Sequence, residues 1–402
     1  MQKKKIMSDV IWSISGLVLM NVIAQFVVYP SWSNSFGSER YGEIIFLISL
    51  MNVFSVSLGM STNYCRVINK TRGGNSTYNI VLGVASTAGF IYAFLCGMLS
   101  GVTLSAGELM LYMLLTVVTS WRYYVDVEYR LNINYKGYFI YYLVVGVGYL
   151  IGGGLLLMTK LWPLALLPGE ILGVIWVYLK GGILKPDKKA KKEELMFVVK
   201  TMLVLFASDV VSNIIFNGDR ILLKSILDGT AVAVYYQASL IGKTMTLITA
   251  PLNSVIIGHL SRYEGKLTVK LVNIIVVCTL GMITVFSALS IIASHIIIGI
   301  LYPDTYQQVQ SWFLQGNLPQ IIYFSSGIVI VILLRFTKAK YSMTVNIIYA
   351  LGFCLVCIPM TIYGGLEGFY SGIFWVAFLR YISAVTICYI KAFKNRKTVI
   401  NK

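Results

Sequence analysis

Lysines and arginines in this chain sit in every other gap between its apolar stretches. About twelve such stretches are long enough to cross a bilayer as helices, at roughly 20 residues each: 9–33, 42–65, 79–100, 108–128, 137–158, 162–180, 196–217, 232–258, 270–298, 311–334, 342–362 and 367–390. One set of gaps holds 25 of the 33 basic residues. It comprises Lys3, Lys4 and Lys5; Arg66, Lys70 and Arg72; Arg130 and Lys136; Lys180, Lys185, Lys188, Lys189, Lys191 and Lys192; Arg262, Lys266 and Lys270; Arg335, Lys338 and Lys340; and Lys391, Lys394, Arg396, Lys397 and Lys402. The opposite set holds only Arg40, Lys160, Arg220 and Lys224. Basic loops stay on the cytoplasmic side, so this alternation places both termini inside. A miscounted span would have scrambled it.

A chain with 57% hydrophobic residues is not a soluble globular protein. Its net charge of +17 would suggest nucleic acid in a soluble chain. Confined to loops at a membrane surface, the same charge is explained by orientation and anionic lipid headgroups, so no nucleic-acid partner is expected. The first apolar stretch, Val10 to about Phe36, exceeds a signal-peptide core and reads as a retained span. The spans read as helices, because hydrocarbon excludes an open strand edge and no alternating ten-residue pattern of a barrel is present. The expected fold is therefore all-α and polytopic.

The longest polar stretch, Gly181 to Glu194, follows the sixth span. It divides the chain into an N-terminal bundle (1–180), a basic linker (181–195) and a C-terminal bundle (196–402), with six helices in each bundle. A faint internal echo accompanies the division: Gly37–Tyr41 and Gly42 precede one long apolar helix, and Gly229–Tyr235 another. An even number of helices per half implies parallel repeats related by an axis along the membrane normal. Pro30, Pro168, Pro251, Pro319 and Pro359 fall inside spans, where each removes a backbone donor and bends its helix.

Ionisable groups within spans are costly, and they face a partner or a cavity. Four basic residues lie outside the loop sets: Arg122, Lys200, Lys243 and Arg380. Lys200 and Arg122 lie near the cytoplasmic ends of their spans and can snorkel. Lys243 and Arg380 are near mid-span. They pair with a carboxylate, the obvious candidate being Asp209, or they line a cationic cavity for an anionic headgroup such as a diphosphate. Arginine would fork onto two phosphate oxygens and lysine would act as a point charge. Glu170 and Asp209 are the two deep carboxylates, each either a structural ion-pair partner or a site for a coupling Na⁺ or H⁺. Asp126 and Glu128, beside Arg122 and Arg130, read as a local charge network.

Several chemistries are missing from the sequence. His259 and His295 are isolated and form no ligand set with cysteines or carboxylates, so no metal is expected. There is no phosphate-binding loop, dinucleotide fingerprint or nucleophile–histidine pattern, which argues against an enzyme and against ATP-driven transport. Cys354 and Cys357 have redox spacing but lie in an apolar helix, where small-residue packing accounts for them. Asn21 with Gln25, Asn213 with Asn217, Gln237 with Asn253, and Asn317 with Gln320 are explained by interhelical hydrogen bonds or by a wet cavity lining. Tyr123, Tyr124, Tyr141, Tyr142, Tyr235 and Tyr236 fit an interfacial aromatic belt.

Three stretches resemble a known family. The first is Phe36-Gly37-Ser-Glu-Arg-Tyr41-Gly42 with Leu58-Gly59-Met-Ser-Thr. The second is Asn217-Gly218-Asp219-Arg220 followed by Gly229, Val234-Tyr235-Tyr236 and Ala238. The third is Leu301-Tyr302-Pro303 with Tyr306. They are similar to the polysaccharide-transport branch of the multidrug/oligosaccharidyl-lipid/polysaccharide exporter superfamily, and in particular to O-antigen flippases. The sequence departs from that pattern in lacking a glycine just before Tyr235 and in having Pro303 where glycine is common. Asp219 and Arg220 match it, yet a turn or helix-end ion pair also explains them.

The resemblance implies two six-helix bundles around a central cavity in a bacterial inner membrane. It also implies an undecaprenyl-diphosphate-linked oligosaccharide as substrate, with a polymerase and a chain-length regulator as neighbouring proteins. Lys243, Arg380 and Arg122 are then the headgroup candidates, and Glu170 and Asp209 the ion-coupling candidates. Two rivals stand beside this reading. A cation-coupled drug exporter of the same superfamily would favour acidic cavity residues. An O-antigen polymerase or membrane glycosyltransferase would be expected to carry a large polar loop with catalytic side chains, which this chain lacks.

Overall fold

The computed structural model describes residues 2–69, 72–187, 189–244, 265, 267–337 and 339–400. Lys70, Lys188, Pro251, Asn253, His259, Arg262, Lys266, Lys338 and Lys402 lie outside the described residues. The described chain is helical, without strands among the described residues. In order it contains α1 (Gln2–Ile23), α2 (Tyr29–Ile68), α3 (Asn75–Leu99), α4 (Ala106–Val125), α5 (Val127–Leu131), α6 (Tyr135–Thr159), α7 (Leu167–Lys180), α8 (Lys192–Ile226) and α9 (Gly229–Ala238). Then come α10 (Val269–Leu301), α11 (Tyr306–Val309), α12 (Phe313–Phe336), α13 (Ala339–Gly352) and α14 (Ile358–Ile400).

Among the described residues seven helical stretches are long and apolar enough to cross a membrane. Two of them, Ile11–Ile68 and Lys340–Asn395, run to 58 and 56 residues, more than twice the roughly 20 that a span requires. Each is interrupted by one glycine outside helical geometry: Gly37 (φ 78°, ψ 174°) and Gly365 (φ 57°, ψ −139°). Positive φ costs a residue with a Cβ but not glycine, so these positions let the helix kink without a loop.

The prolines act one turn upstream. Pro30 follows a π-helical turn at Ala24–Val28, and Pro359 follows another at Phe353–Cys357. A wider turn absorbs the missing donor and the ring clash. The second turn contains Cys354 and Cys357, both free thiols. Pro163 and Pro168 break the sixth span into a 3₁₀ turn, Trp162–Ala165, and the short α7.

Two compact units make up the chain, Met1–Ile221 and Leu222–Lys402. In the first, α1 packs on α6, α6 on α7, and α4 on α2, α3 and α7. Ser105 and Glu108 form a reciprocal capping box at the start of α4. Trp32 Nε1 donates to the Trp162 carbonyl at 3.1 Å. The seventh span is longer than its apolar run suggests and belongs to this unit as far as Ile221. Asn213 Nδ2 donates to Ser57 Oγ on α2 at 3.0 Å, and Arg220 Nη1 to Ser49 Oγ at 3.4 Å. In the second unit, α12 packs on α9, α10 and α14, and α13 on α14. Its core includes Val272, Ile322, Val329, Leu333, Val345, Ala377 and Tyr381.

The first half of the polar stretch after α7 is fastened to the first unit. Asp187 accepts from the Asn75 and Ser76 backbone N–H groups at 2.7 and 3.1 Å, satisfying orphan donors at the start of α3. Glu128 accepts from the Gly182 and Ile183 N–H groups at 3.1 and 2.8 Å. Asn75 and Asn79 donate to the carbonyls of Gly182, Lys185 and Ile183.

The aromatic-belt expectation is corrected here. Tyr124, Tyr141, Tyr142, Tyr235 and Tyr236 are buried within the protein. A buried phenol needs a hydrogen-bond partner, and these include internal ones: Tyr141 on the Arg122 carbonyl (2.8 Å), Tyr142 on Asp126 (3.0 Å) and Tyr235 with Gln320 (2.9 Å). Asp219 and Arg220 do form an ion pair (3.9 Å), but inside α8 and buried, not at a turn.

Candidate functional site

Polar side chains in the first unit converge on α7. Glu170 lies in its first turn, two residues after Pro168, and is 3% exposed. Arg122, in the last turn of α4 and also 3% exposed, donates from Nε to Glu170 Oε2 at 2.9 Å. The Tyr149 hydroxyl on α6 donates to the other carboxylate oxygen, Oε1. The Arg122 guanidinium lies over the Tyr123 ring, 3.6 Å from its centroid. Arg122 Nη1 is buried and has no hydrogen-bond partner.

Close helix packing sets this geometry. A Cβ on Gly148 would meet Gly169 Cα, and one on Gly169 would meet the Tyr149 ring. Only two facing glycines let α6 and α7 approach closely enough to bring Tyr149 onto Glu170.

Two expectations about Arg122 are therefore corrected. It does not snorkel to a headgroup layer, and it does not join the Asp126 network. Asp126 instead accepts from Asn63 and from the Tyr138 and Tyr142 hydroxyls, and pairs with Arg130 at 3.4 Å. Glu128 binds the backbone of the 181–187 segment, as described above.

In the second unit, Arg380 on α14 is 6% exposed. Its Nη1 donates to the Tyr323 carbonyl (2.8 Å) and to Ser326 Oγ, and its Nη2 to Asn346 Oδ1 (3.3 Å). The guanidinium carbon lies 3.8 Å from the Tyr323 ring centroid and 5.7 Å from that of Tyr349. Nε has no partner. Among the described residues no carboxylate pairs with Arg380. Asp209 makes no ion pair among the described residues either, and its Oδ2 is buried without a hydrogen-bond partner.

Lys243 Nζ lies 4.8 Å from the Tyr235 ring centroid. The Tyr235 hydroxyl accepts from Gln320 Nε2 at 2.9 Å. Gln320, Tyr323 and Ser326 follow one another at three-residue steps on α12, so one helix face serves both the Lys243–Tyr235 stack and the Arg380 cage. Backbone contact secures it: Asn317 Oδ1 accepts from Gly242 N–H at 2.6 Å, and a Cβ on Gly316 would meet Ala238 backbone.

Thus Arg122 and Glu170, predicted in separate roles, form one pair. One face of α12 serves both Lys243, through Tyr235, and Arg380. Tyr149, Tyr323, Tyr349 and Asn346 were not anticipated. The signal for Tyr149 is the spacing of Tyr138, Tyr142 and Tyr149 along one face of an otherwise apolar helix, which favours an interior role over an interfacial belt. Among the described residues no cluster could hold a metal.

No protein-family model matches the chain, and no curated protein matches it by sequence. Solved structures do match by shape. Lipid II flippase MurJ, in an inward closed conformation, superposes with a TM-score of 0.73 at 14% identity, covering 94% of this chain and 87% of that one. A multidrug-resistance MATE family transporter of the MOP superfamily matches in its inward-facing form (TM-score 0.70, 10% identity, 96% and 99% covered). It matches also in its outward-facing form (0.63, 11%, 98% and 97%). The chain shares the fold of these solved structures. The likeness runs over nearly the whole chain, and its described residues include several helices long and apolar enough to cross a membrane.

Proposed function

We propose that this protein is a flippase that carries undecaprenyl-diphosphate-linked oligosaccharide units, of the O-antigen type, across the bacterial inner membrane. In this reading about twelve helices form two six-helix bundles with both termini in the cytoplasm, and the bundles alternately expose a central cavity to either side. The protein is a transporter without enzymatic activity of its own, working beside a polymerase and a chain-length regulator.

The observation that carries the reading is Arg380. A guanidinium buried without a carboxylate among the described residues is costly, by several kcal/mol for an unpaired ion. Such a charge is retained where an anion completes it. Its cage of two tyrosine rings and three oxygen acceptors leaves Nε unspent. A diphosphate supplies the missing charge, and arginine suits it through its planar fork. Lys243, reached through the same face of α12, adds a point charge. The shared fold with a lipid II flippase supports a lipid-linked substrate, because that protein's name states one.

A second reading, a cation-coupled multidrug exporter, draws support from the MATE structures and from the unpaired Asp209 carboxylate. Deleting the gene in its native host distinguishes the readings. Loss of surface polysaccharide, with single lipid-linked units accumulating on the cytoplasmic leaflet, is the outcome expected of the flippase. Intact polysaccharide with raised sensitivity to cationic drugs would replace it with the exporter. Units reaching the outer leaflet while chain length alone collapses would identify a polymerase.

A further inference from the structure

The Arg380 guanidinium is held along one edge and nearly unspent along another. Nη1 is anchored from α12 by the Tyr323 carbonyl and by Ser326 Oγ. Nε and Nη2 lie together on the adjacent edge of the planar fork, where an arginine can grip two oxygens of one anion. On that edge Nε is buried and has no partner. Nη2 donates to Asn346 Oδ1 on α13 at 3.3 Å. This is the longest of the three Arg380 hydrogen bonds and its acceptor is neutral, so it is the least costly to give up.

Asn346 differs from the rest of the cage in its surroundings. It is exposed, whereas Arg380 is buried. Its exposed neighbours on α13, Met343 and Ile347, are apolar. An amide in such company is the polar group through which the buried cation reaches the surface of the unit. The packing of α13 on α14 fixes this pairing, since further along the same seam Gly352 lies against Val376 and Leu379.

We propose that Asn346 holds the place of a substrate phosphate on Arg380 and then becomes its second ligand. Without substrate, Oδ1 accepts from Nη2; Nδ2 cannot take that place, because both atoms are donors. When the diphosphate arrives, two oxygens of one phosphate take Nε and Nη2. Asn346 then turns about its last side-chain bond and donates from Nδ2 to the same phosphate. A carboxamide can accept in one state and donate in the other, so no proton moves and no charge is left alone. The inference rests on the substrate class and on the role of Arg380 proposed above, and it adds the residue that hands the fork over. It also accounts for a neutral acceptor at this position: a carboxylate there would hold the guanidinium tightly and repel the incoming phosphate.

The test uses the purified full-length protein in lipid nanodiscs, with farnesyl diphosphate as a short soluble probe. Calorimetry reads its affinity and thermal unfolding reads stability. Asn346→Asp gives Nη2 a stronger acceptor and cannot donate to phosphate. Its melting temperature is expected to rise while affinity falls by at least about tenfold. A residue that merely steadied Arg380 would behave otherwise, with a firmer cage and an affinity kept or improved. Asn346→Leu removes the place-holder and the donor together. The long neutral bond it loses is worth less than the charge-assisted one, so affinity is expected to fall by about three- to tenfold. This variant decides the matter if Asn346→Asp does not fold. Wild-type affinity in either folded variant overturns this inference alone. Failure of the wild type to bind farnesyl diphosphate overturns the substrate class and this inference with it.

Discussion

Arg380 donates to the Tyr323 carbonyl at 2.8 Å while its guanidinium lies 3.8 Å from the ring of the same residue. One tyrosine thus holds the cation by its backbone and by its π face. Tyr323 can do this because α14 crosses α12 at that level, and Ser326, one turn on, adds a second acceptor. The arrangement fixes a planar cation in one orientation and supplies no negative charge.

Replacing Arg380 by methionine is therefore expected to separate stability from function. Removing a buried, uncompensated charge costs little, and the melting temperature should stay within the equivalent of about 1 kcal/mol of wild type or rise. Surface polysaccharide should be lost in a complementation assay. Arg380→Lys should fail as well, since an ammonium cannot fill the stacked fork. Thermal unfolding in detergent and complementation in a deletion strain check both halves.

Arg122 and Glu170 should behave in the opposite way. Each single substitution, Arg122→Met or Glu170→Leu, leaves a buried charge alone and is expected to destabilise by about 3–5 kcal/mol. The double substitution restores neutrality and should recover most of that loss. A double-mutant cycle on thermal or denaturant unfolding gives the coupling energy directly.

Gly169→Ala should reach the same site through packing. The added methyl meets the Tyr149 ring and the Val145 carbonyl, which must separate α6 from α7. A cost of about 1–3 kcal/mol is expected from overpacking. Transport should fall further than that cost alone explains, because the displacement also parts Tyr149 from Glu170.

Asp187→Ala tests the fastened segment after α7. Losing the cap on α3 should cost about 0.5–2 kcal/mol. Hydrogen exchange should quicken at residues 75–78 and 182–187 and stay unchanged in the second unit. Transport is expected to persist, since none of these groups touches the buried arginines.

Much of the architecture was legible in the chain. Apolar runs of spanning length, the absence of strand patterning, and the break positions at Gly37 and near Gly365 follow from local chemistry that no tertiary contact can override. The residues worth inspecting were legible too, because a mid-span charge is rare whatever it contacts. The interior place of the tyrosines was not, since an aromatic with a polar tip suits an interface and a hydrogen-bonded interior equally well. The extension of α8 to Ile226 was hidden because Asp219 and Arg220 look like a loop until Ser49 and Asn217 are seen to accept from Arg220.

Composition and spacing alone determined a helical chain with several apolar stretches of spanning length, and singled out Arg122, Glu170, Asp209, Lys243 and Arg380 as ionisable groups within them. Which of them are paired was decided only by tertiary structure. Pairing depends on helix faces and on sub-ångström approach, such as the glycine contact between α6 and α7, and sequence separation carries neither. That is why Arg122 has Glu170, forty-eight residues away, and Arg380 has two tyrosines in place of a carboxylate.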